Sequence, residues 1–134
     1  MAKLRTPEVE KLLKEYPLYS QDDKKGNTLV LCKFFLGSYT WYITEGSPEG
    51  NDFTLFGITC NGEDAEFGYI SLNELEALKA RSRIEDGKTG EPRGFLSLEV
   101  ERDLFFKPVT LEELAAEDEV VRKHLLSMGY INEQ

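Results

Sequence analysis

The alternation of apolar and polar residues predicts strands across the middle of the chain. Runs rich in β-branched and aromatic residues occupy positions 28–35, 38–44, 52–60 and 65–72, and such residues are enriched in strands. Short turn-forming segments separate the runs, and Asn61-Gly62 is the strongest hairpin signal among them. Because short connections join antiparallel neighbours, the pattern predicts a four-stranded antiparallel meander.

A helical period replaces this alternation on both sides of the meander. Each predicted helix follows a hydroxyl residue that can cap its first turn: 7–15 after Thr6, 72–80 after Ser71, and 111–116 after Thr110, restarting near 118 and running to 128. Gly129 suits the left-handed cap that ends the last helix. The residues therefore predict an α+β fold in which an antiparallel β-meander of four to five strands carries two or three packed helices.

The remaining segments complete one domain over residues 1–134. The segment 79–94 is rich in charge and glycine, so we expect an exposed, mobile loop at 81–93. GFLSLEV at 94–100 is the fifth strand candidate, and 117–134 is expected to form a C-terminal helix and tail. A chain of this length can bury one hydrophobic core.

Charge is distributed unevenly along the chain. The net charge is −9, and residues 34–78 contain eight acidic residues and no Lys, Arg or His. Such a surface repels nucleic acid and anionic membranes, so we expect neither direct nucleic-acid binding nor membrane binding. No apolar run approaches the roughly 20 residues that span a bilayer, and the first residues lack the pattern of a signal peptide. The chain is expected to be cytoplasmic and monomeric.

The inventory of reactive side chains is short. Cys32 and Cys60 are too few and too far apart for a disulfide framework, and we expect two buried thiols. His124 is the only histidine, which argues against imidazole-rich zinc sites. None of the common phosphate-loop, dinucleotide, metalloprotease or serine-hydrolase motifs is present. No cofactor and no dedicated metal site are predicted.

One predicted strand carries the only tryptophan, Trp41, and ends near an acidic residue, Glu45. If alternation is regular, Trp41 and Glu45 point to the same face of their strand. Arg102, in the charged triplet 101–103, could then clamp Glu45, since a guanidinium matches a carboxylate bidentately. The triplet is either part of a structural ion-pair network or part of a ligand site. Gly57 and Gly68 interrupt strands, which indicates bulges or a close approach, for example by the Trp41 ring.

Together these residues define a candidate recognition surface: Trp41, Glu45, Glu66, Tyr69, Glu101, Arg102 and Asp103. A metal-assisted hydrolase or nuclease is an alternative, because carboxylates at Glu45, Glu66, Glu101 and Asp103 could bind Mg²⁺ or Mn²⁺. A second alternative is an acidic decoy that mimics DNA, as in some anti-restriction proteins. A decoy needs its acids spread along an elongated face, whereas a metal enzyme needs them around a cleft.

Several motifs resemble one protein family. KFF at 33–35, TWYITEG at 40–46, LFGITCNGEDAEFGYISLNEL at 55–75 and VERDLFFKPVTLEEL at 100–114 resemble the bacterial family known as domain of unknown function 2958. PLY at 17–19 is also similar, and the resemblance spans about residues 12–116. It implies an origin on plasmids, phages and integrative elements and no established activity.

The leading functional hypothesis is a noncatalytic accessory or interaction protein of a bacterial mobile element. It would use the candidate recognition surface to bind a protein partner, and a basic DNA-handling protein is one candidate for that partner.

Overall fold

The computed structural model describes residues 4–85 and 92–132, without the side chains of 81–96. The α-helices in these residues are α1 (Pro7–Glu15), α2 (Leu72–Ala77), α3 (Leu111–Ala115) and α4 (Glu119–Ser127). The strands are β1 (Leu29–Val30), β2 (Cys32–Leu36), β3 (Tyr39–Glu49), β4 (Asp52–Cys60), β5 (Ala65–Ser71), β6 (Lys79–Glu85), β7 (Pro92–Glu99), β8 (Glu101–Arg102) and β9 (Val109–Thr110). The predicted α+β class is confirmed.

The central element is a five-stranded antiparallel sheet in the order β5-β4-β3-β2-β8. Strands β2 to β5 follow one another in the sheet as they do in the sequence, so the predicted meander is confirmed. The fifth strand is the two-residue β8, which pairs with Phe34 and Phe35 of β2. The predicted fifth strand at 94–100 does not join this sheet.

Strand β7 instead pairs with β6 in a separate antiparallel hairpin. The expected mobile loop at 81–93 is therefore wrong for 81–85 and 92–93, which are strand, while residues 86–91 lie outside the described residues. The segment KARSRIE alternates charged with small or apolar residues, which is a strand pattern that its charge content obscured. Ala80 pairs with Leu98, and both pack against the main sheet's core.

The sheet is covered on both faces, each by its own apolar cluster. One face, called the α1/α2 face here, carries Trp41, Ile43 and Leu55 together with residues of helices α1 and α2. The opposite α3/α4 face carries Tyr42 and Ile58 together with residues of α3 and α4. Because both faces are covered, the centre of β3 is buried without interruption at residues 41–46 and does not alternate between buried and exposed positions.

The predicted caps are present. The hydroxyl of Thr6 accepts from Val9 N at 3.2 Å and that of Ser71 from Glu74 N at 3.1 Å. Thr110 forms the full capping box with Glu113. Gly129 adopts φ +74° at the end of α4, as predicted. No helix among the described residues has the length and apolar character needed to cross a membrane.

Candidate functional site

A β-bulge decides where Glu45 points. Ile43 pairs with Gly57 and Glu45 pairs with Phe56, so Thr44 is the extra residue on β3. A bulge adds one residue and reverses the alternation beyond it. Glu45 therefore emerges on the α3/α4 face, beside Phe56 and Phe67, whereas Trp41 lies in the α1/α2 core. The prediction that Trp41 and Glu45 share a face is wrong.

The carboxylate of Glu45 is buried and accepts hydrogen bonds that stabilise the folded chain. Its side chain is 4% exposed, and its two oxygens accept hydrogen bonds from the backbone N–H groups of Tyr19 and Gln21, each at 2.9 Å. Tyr19 adopts φ +73°, a left-handed conformation that is costly for a large side chain. Glu45 therefore fastens the loop between α1 and β1 onto the sheet and holds its strained turn.

The predicted clamp between Arg102 and Glu45 is also wrong. Arg102 points to the α1/α2 face, where its Nη2 donates to Glu8 Oε2 of α1 at 3.2 Å. Burial raises the pKa of the neighbouring Cys32 thiol to about 12, although the Arg102 charge acts to lower it. Cys60 is buried as well, which confirms the prediction of two buried thiols.

The two strand glycines lie opposite each other, and neither one accommodates the Trp41 ring. A Cβ on Gly57 would meet the backbone oxygen of Tyr42 at 2.0 Å, because the bulge brings β3 and β4 close together. Among the described residues, a Cβ on Gly68 would have no atom within 4 Å. Gly57 is therefore required by the close approach of two strands, whereas Gly68 has room for a side chain.

The seven predicted site residues do not form one neighbourhood. Trp41 is 6% exposed and stacks on Tyr39 with ring centroids 5.8 Å apart, so it is mainly a core residue. Glu66 and the 59%-exposed Tyr69 lie on the edge strand β5, on opposite faces. Glu101, Arg102 and Asp103 lie at the other edge of the sheet, in and just after β8.

This separation bears directly on the hydrolase hypothesis. Glu66 and Glu101 are on β5 and β8, with three strands between them, which corresponds to roughly 19 Å at the usual strand spacing. Glu45 is occupied by backbone amides. Among the described residues, no group of three or more His, Cys, Asp or Glu side chains is placed to hold a metal ion. The four named carboxylates therefore do not converge on a site.

Four of the eight acidic residues between 34 and 78 form hydrogen bonds within the folded chain. Their carboxylates accept hydrogen bonds from backbone or side-chain groups: Glu45, Glu49, Asp52 and Glu76. Burial acts to raise the pKa of Asp52, but hydrogen bonds from Ser71, Asn73 and Phe53 outweigh it, and the pKa is lowered. Of these four carboxylates only that of Glu45 is buried, so it is the one that an acidic decoy could not present at its surface.

The most prominent surface feature is one that the sequence prediction missed. Leu104 is 73% exposed and Phe105 is 94% exposed, side by side after β8. Leu104 lines two clefts of about 430 Å³ each, one against α1 and one over Phe35 and Thr40. We call Phe35, Thr40, Leu104 and Phe105 the β8 surface.

The turn that presents these side chains is held in place. Asp103 Oδ1 accepts from Phe105 N at 2.9 Å, and the Asp103 carbonyl accepts from Phe106 N at 3.3 Å. The Asp103 backbone N–H donates to the Lys33 carbonyl at 3.0 Å, and the two side chains form an ion pair at 3.8 Å. Phe106 turns inward and packs near Tyr42. The turn thus partly buries one of three consecutive apolar side chains and exposes the other two.

A family model described as "Protein of unknown function (DUF2958)" matches residues 4–89. The chain belongs to the DUF2958 family. No curated protein and no solved structure matches it. The part of the DUF2958 chain that the model matches includes α1, the meander and the Glu45 bulge, whereas the exposed pair Leu104 and Phe105 follows it in the sequence.

Proposed function

We propose that this DUF2958 protein is a noncatalytic interaction protein that binds a partner protein through the β8 surface. The observation that supports this function is the pair Leu104 and Phe105, which are 73% and 94% exposed. Single exposed apolar residues are common on protein surfaces. Two adjacent ones, set between clefts and held by a bonded turn, are typical of a binding site.

Burial by a partner would release appreciable free energy. Each large apolar side chain contributes about 1.5–3 kcal/mol when it is fully buried, and the fixed turn reduces the ordering cost that binding must overcome. Arg102 and Asp103 line the cleft beneath the exposed pair. They could supply the polar rim that surrounds the apolar centre of a typical interface.

The setting of this function is part of the proposal. In it, the chain acts as a monomer in the bacterial cytoplasm as an accessory protein of a mobile element. The resemblance to proteins of plasmids, phages and integrative elements is the support for that setting.

The test compares two double variants. Leu104→Ser/Phe105→Ser removes the exposed apolar pair, and Leu78→Ser/Met128→Ser removes two other exposed apolar side chains, which are 43% and 40% exposed. Each protein is used to capture partners from a lysate of the native host, with quantification by mass spectrometry, and any captured protein is then purified and titrated against all three forms.

The proposal predicts a purified partner that binds the wild type and the Leu78/Met128 control equally and binds the Leu104/Phe105 variant at least about tenfold more weakly, the equivalent of one lost anchor side chain. Equal binding by all three proteins would contradict it. So would a wild-type homodimer, detected by sedimentation velocity, that dissociates in the Leu104/Phe105 variant.

A further inference from the structure

The opposite edge of the sheet, strand β5, carries an unpaired row of backbone groups. β5 is the end strand of the five-stranded sheet and pairs with β4 in unbroken register from Thr54–Ser71 to Cys60–Ala65. Among the described residues no strand lies on its other side. Its outward N–H and C=O groups are therefore available to another extended segment.

β5 has only one of the features by which proteins usually block such pairing, the exposed charge of Glu66, and a negative charge does not exclude a basic segment. Edge strands are commonly very short, bulged, or interrupted by lysine or proline. β5 is seven residues long and contains no lysine or proline, and its ladder with β4 has no bulge. The other edge shows the usual protection, because β8 is only two residues long and ends in a turn.

The side chains of β5 leave room beside the edge. None of its seven residues is fully buried. A Cβ on Gly68 would have no neighbour within 4 Å in the part of the chain that the structure describes, which leaves space on the α1/α2 face at the midpoint of the strand. On the other face, Tyr69 is exposed and its hydroxyl lies 3.0 Å from that of Tyr19. An added strand could pass Gly68 closely and rest an apolar side chain against Tyr69.

The charge around β5 indicates which kind of segment would fit. Four acidic side chains near β5 are exposed and make no ion pair or side-chain hydrogen bond with the described residues. They lie in the turn before the strand, at its second position and in the helix after it: Glu63, Asp64, Glu66 and Glu74. The segment 34–78, which contains β5, has no basic residue of its own. A strand with lysine or arginine at alternate positions would complement this edge.

We propose that the β5 edge binds an extended basic segment of a partner protein as a sixth strand. Backbone hydrogen bonds would provide the affinity, and the acidic side chains would select a basic partner. A second copy of this chain is a poor occupant, because it would bring its own net charge of −9 and the same acidic strand to the interface. This site lies across the sheet from the β8 surface and does not depend on the proposed function.

The probe is a capped peptide of about eight residues, the length of a long strand, in which lysine and valine alternate. Two control peptides accompany it: one with glutamate in place of lysine, and one that keeps the lysines but carries N-methyl groups on all of its internal backbone nitrogens, so that neither of its edges can donate a hydrogen bond to β5. Binding to the full chain is followed by NMR shift changes and by protection of backbone amides from exchange.

The expected result is binding of the lysine–valine peptide with shift changes and amide protection concentrated at residues 65–71. The glutamate peptide and the N-methylated peptide should not bind there, since one has the wrong charge and the other cannot pair as a strand. No binding of the lysine–valine peptide, shift changes centred elsewhere, or equal binding of the N-methylated peptide would overturn the proposal.

Variants separate this site from the β8 surface. Glu66→Lys should weaken peptide binding roughly three- to tenfold, because one attraction is replaced by a repulsion of similar size. Its matched control is Glu101→Lys, an exposed glutamate on the opposite edge strand. That control and Leu104→Ser/Phe105→Ser should bind the peptide like the wild type. Equal binding by Glu66→Lys and the wild type would overturn the charge selection that defines the partner.

Discussion

Glu45 and Glu66 are strand glutamates of the same acidic segment, and the structure uses them in opposite ways. Glu45, beside the bulge in the centre of the sheet, is 4% exposed and has both oxygens bonded to backbone amides. Glu66, on the edge strand, is exposed and pairs with none of the described residues. Position in the sheet, rather than residue type, separates a structural carboxylate from one that is available to a partner.

The same contrast extends to the regions around them. At the centre, Gly57, Thr44 and Glu45 accommodate a close approach of strands and satisfy buried polar groups. At the β8 edge, the apolar side chains of Leu104 and Phe105 are exposed. At the β5 edge, the outward backbone groups pair with no strand among the described residues. The centre should therefore determine stability, and the edges should determine binding.

The largest effect is expected at Gly57. In Gly57→Ala the new Cβ would lie 2.0 Å from the Tyr42 carbonyl oxygen, so β3 and β4 would have to separate at the bulge. We expect a loss of more than about 4 kcal/mol in the free energy of unfolding, which is in the range of severe core disruption. Urea denaturation followed by circular dichroism measures this loss. If Gly57→Ala does not fold at all, the absence of folded protein shows the loss directly.

The control is the glycine directly opposite. Gly68→Ala places its Cβ in open space, so it should leave the free energy of unfolding unchanged or raise it by up to about 1 kcal/mol, through lower entropy of the unfolded chain. If Gly57→Ala and Gly68→Ala had equal stability, the distinction between centre and edge would fail at its most constrained position.

A smaller effect is expected at Glu45. Glu45→Gln keeps the shape of the side chain, but the amide nitrogen cannot accept the second backbone hydrogen bond, which leaves one N–H of the Tyr19–Gln21 loop unsatisfied. The expected cost is about 1–3 kcal/mol. Glu66→Gln should change stability by no more than about 0.5 kcal/mol. The free energies of unfolding of the two variants are measured side by side by denaturant unfolding. A smaller loss of this free energy for Glu45→Gln than for Glu66→Gln would contradict the prediction.

Local signals made much of the fold predictable from sequence. The meander followed from β-branched runs and turn residues, and the caps at Thr6, Ser71 and Thr110 depend on residues within one helical turn of each other. The hairpin of β6 and β7 was missed because charge content outweighed a regular alternation of residues in 79–85.

The site was harder to predict because it depends on single-residue shifts and on tertiary packing. The bulge at Thr44 moves Glu45 to the other face, and nothing in Thr44 itself marks it; Gly57 opposite Ile43 was the available signal. The pairing of Arg102 with Glu8 depends on where α1 packs. In the run Leu104-Phe105-Phe106, composition cannot tell which side chain turns inward, so the exposed pair could not be identified from the sequence.

The central claim is that Leu104 and Phe105 are not needed to stabilise the fold. The most direct test is the free energy of unfolding of Leu104→Ser/Phe105→Ser, measured by urea denaturation beside the wild type. Because both side chains are mostly exposed, the account predicts a difference of no more than about 0.5 kcal/mol, as for ordinary surface substitutions. A loss of about 2 kcal/mol or more, the size expected for a buried large apolar side chain, would contradict it.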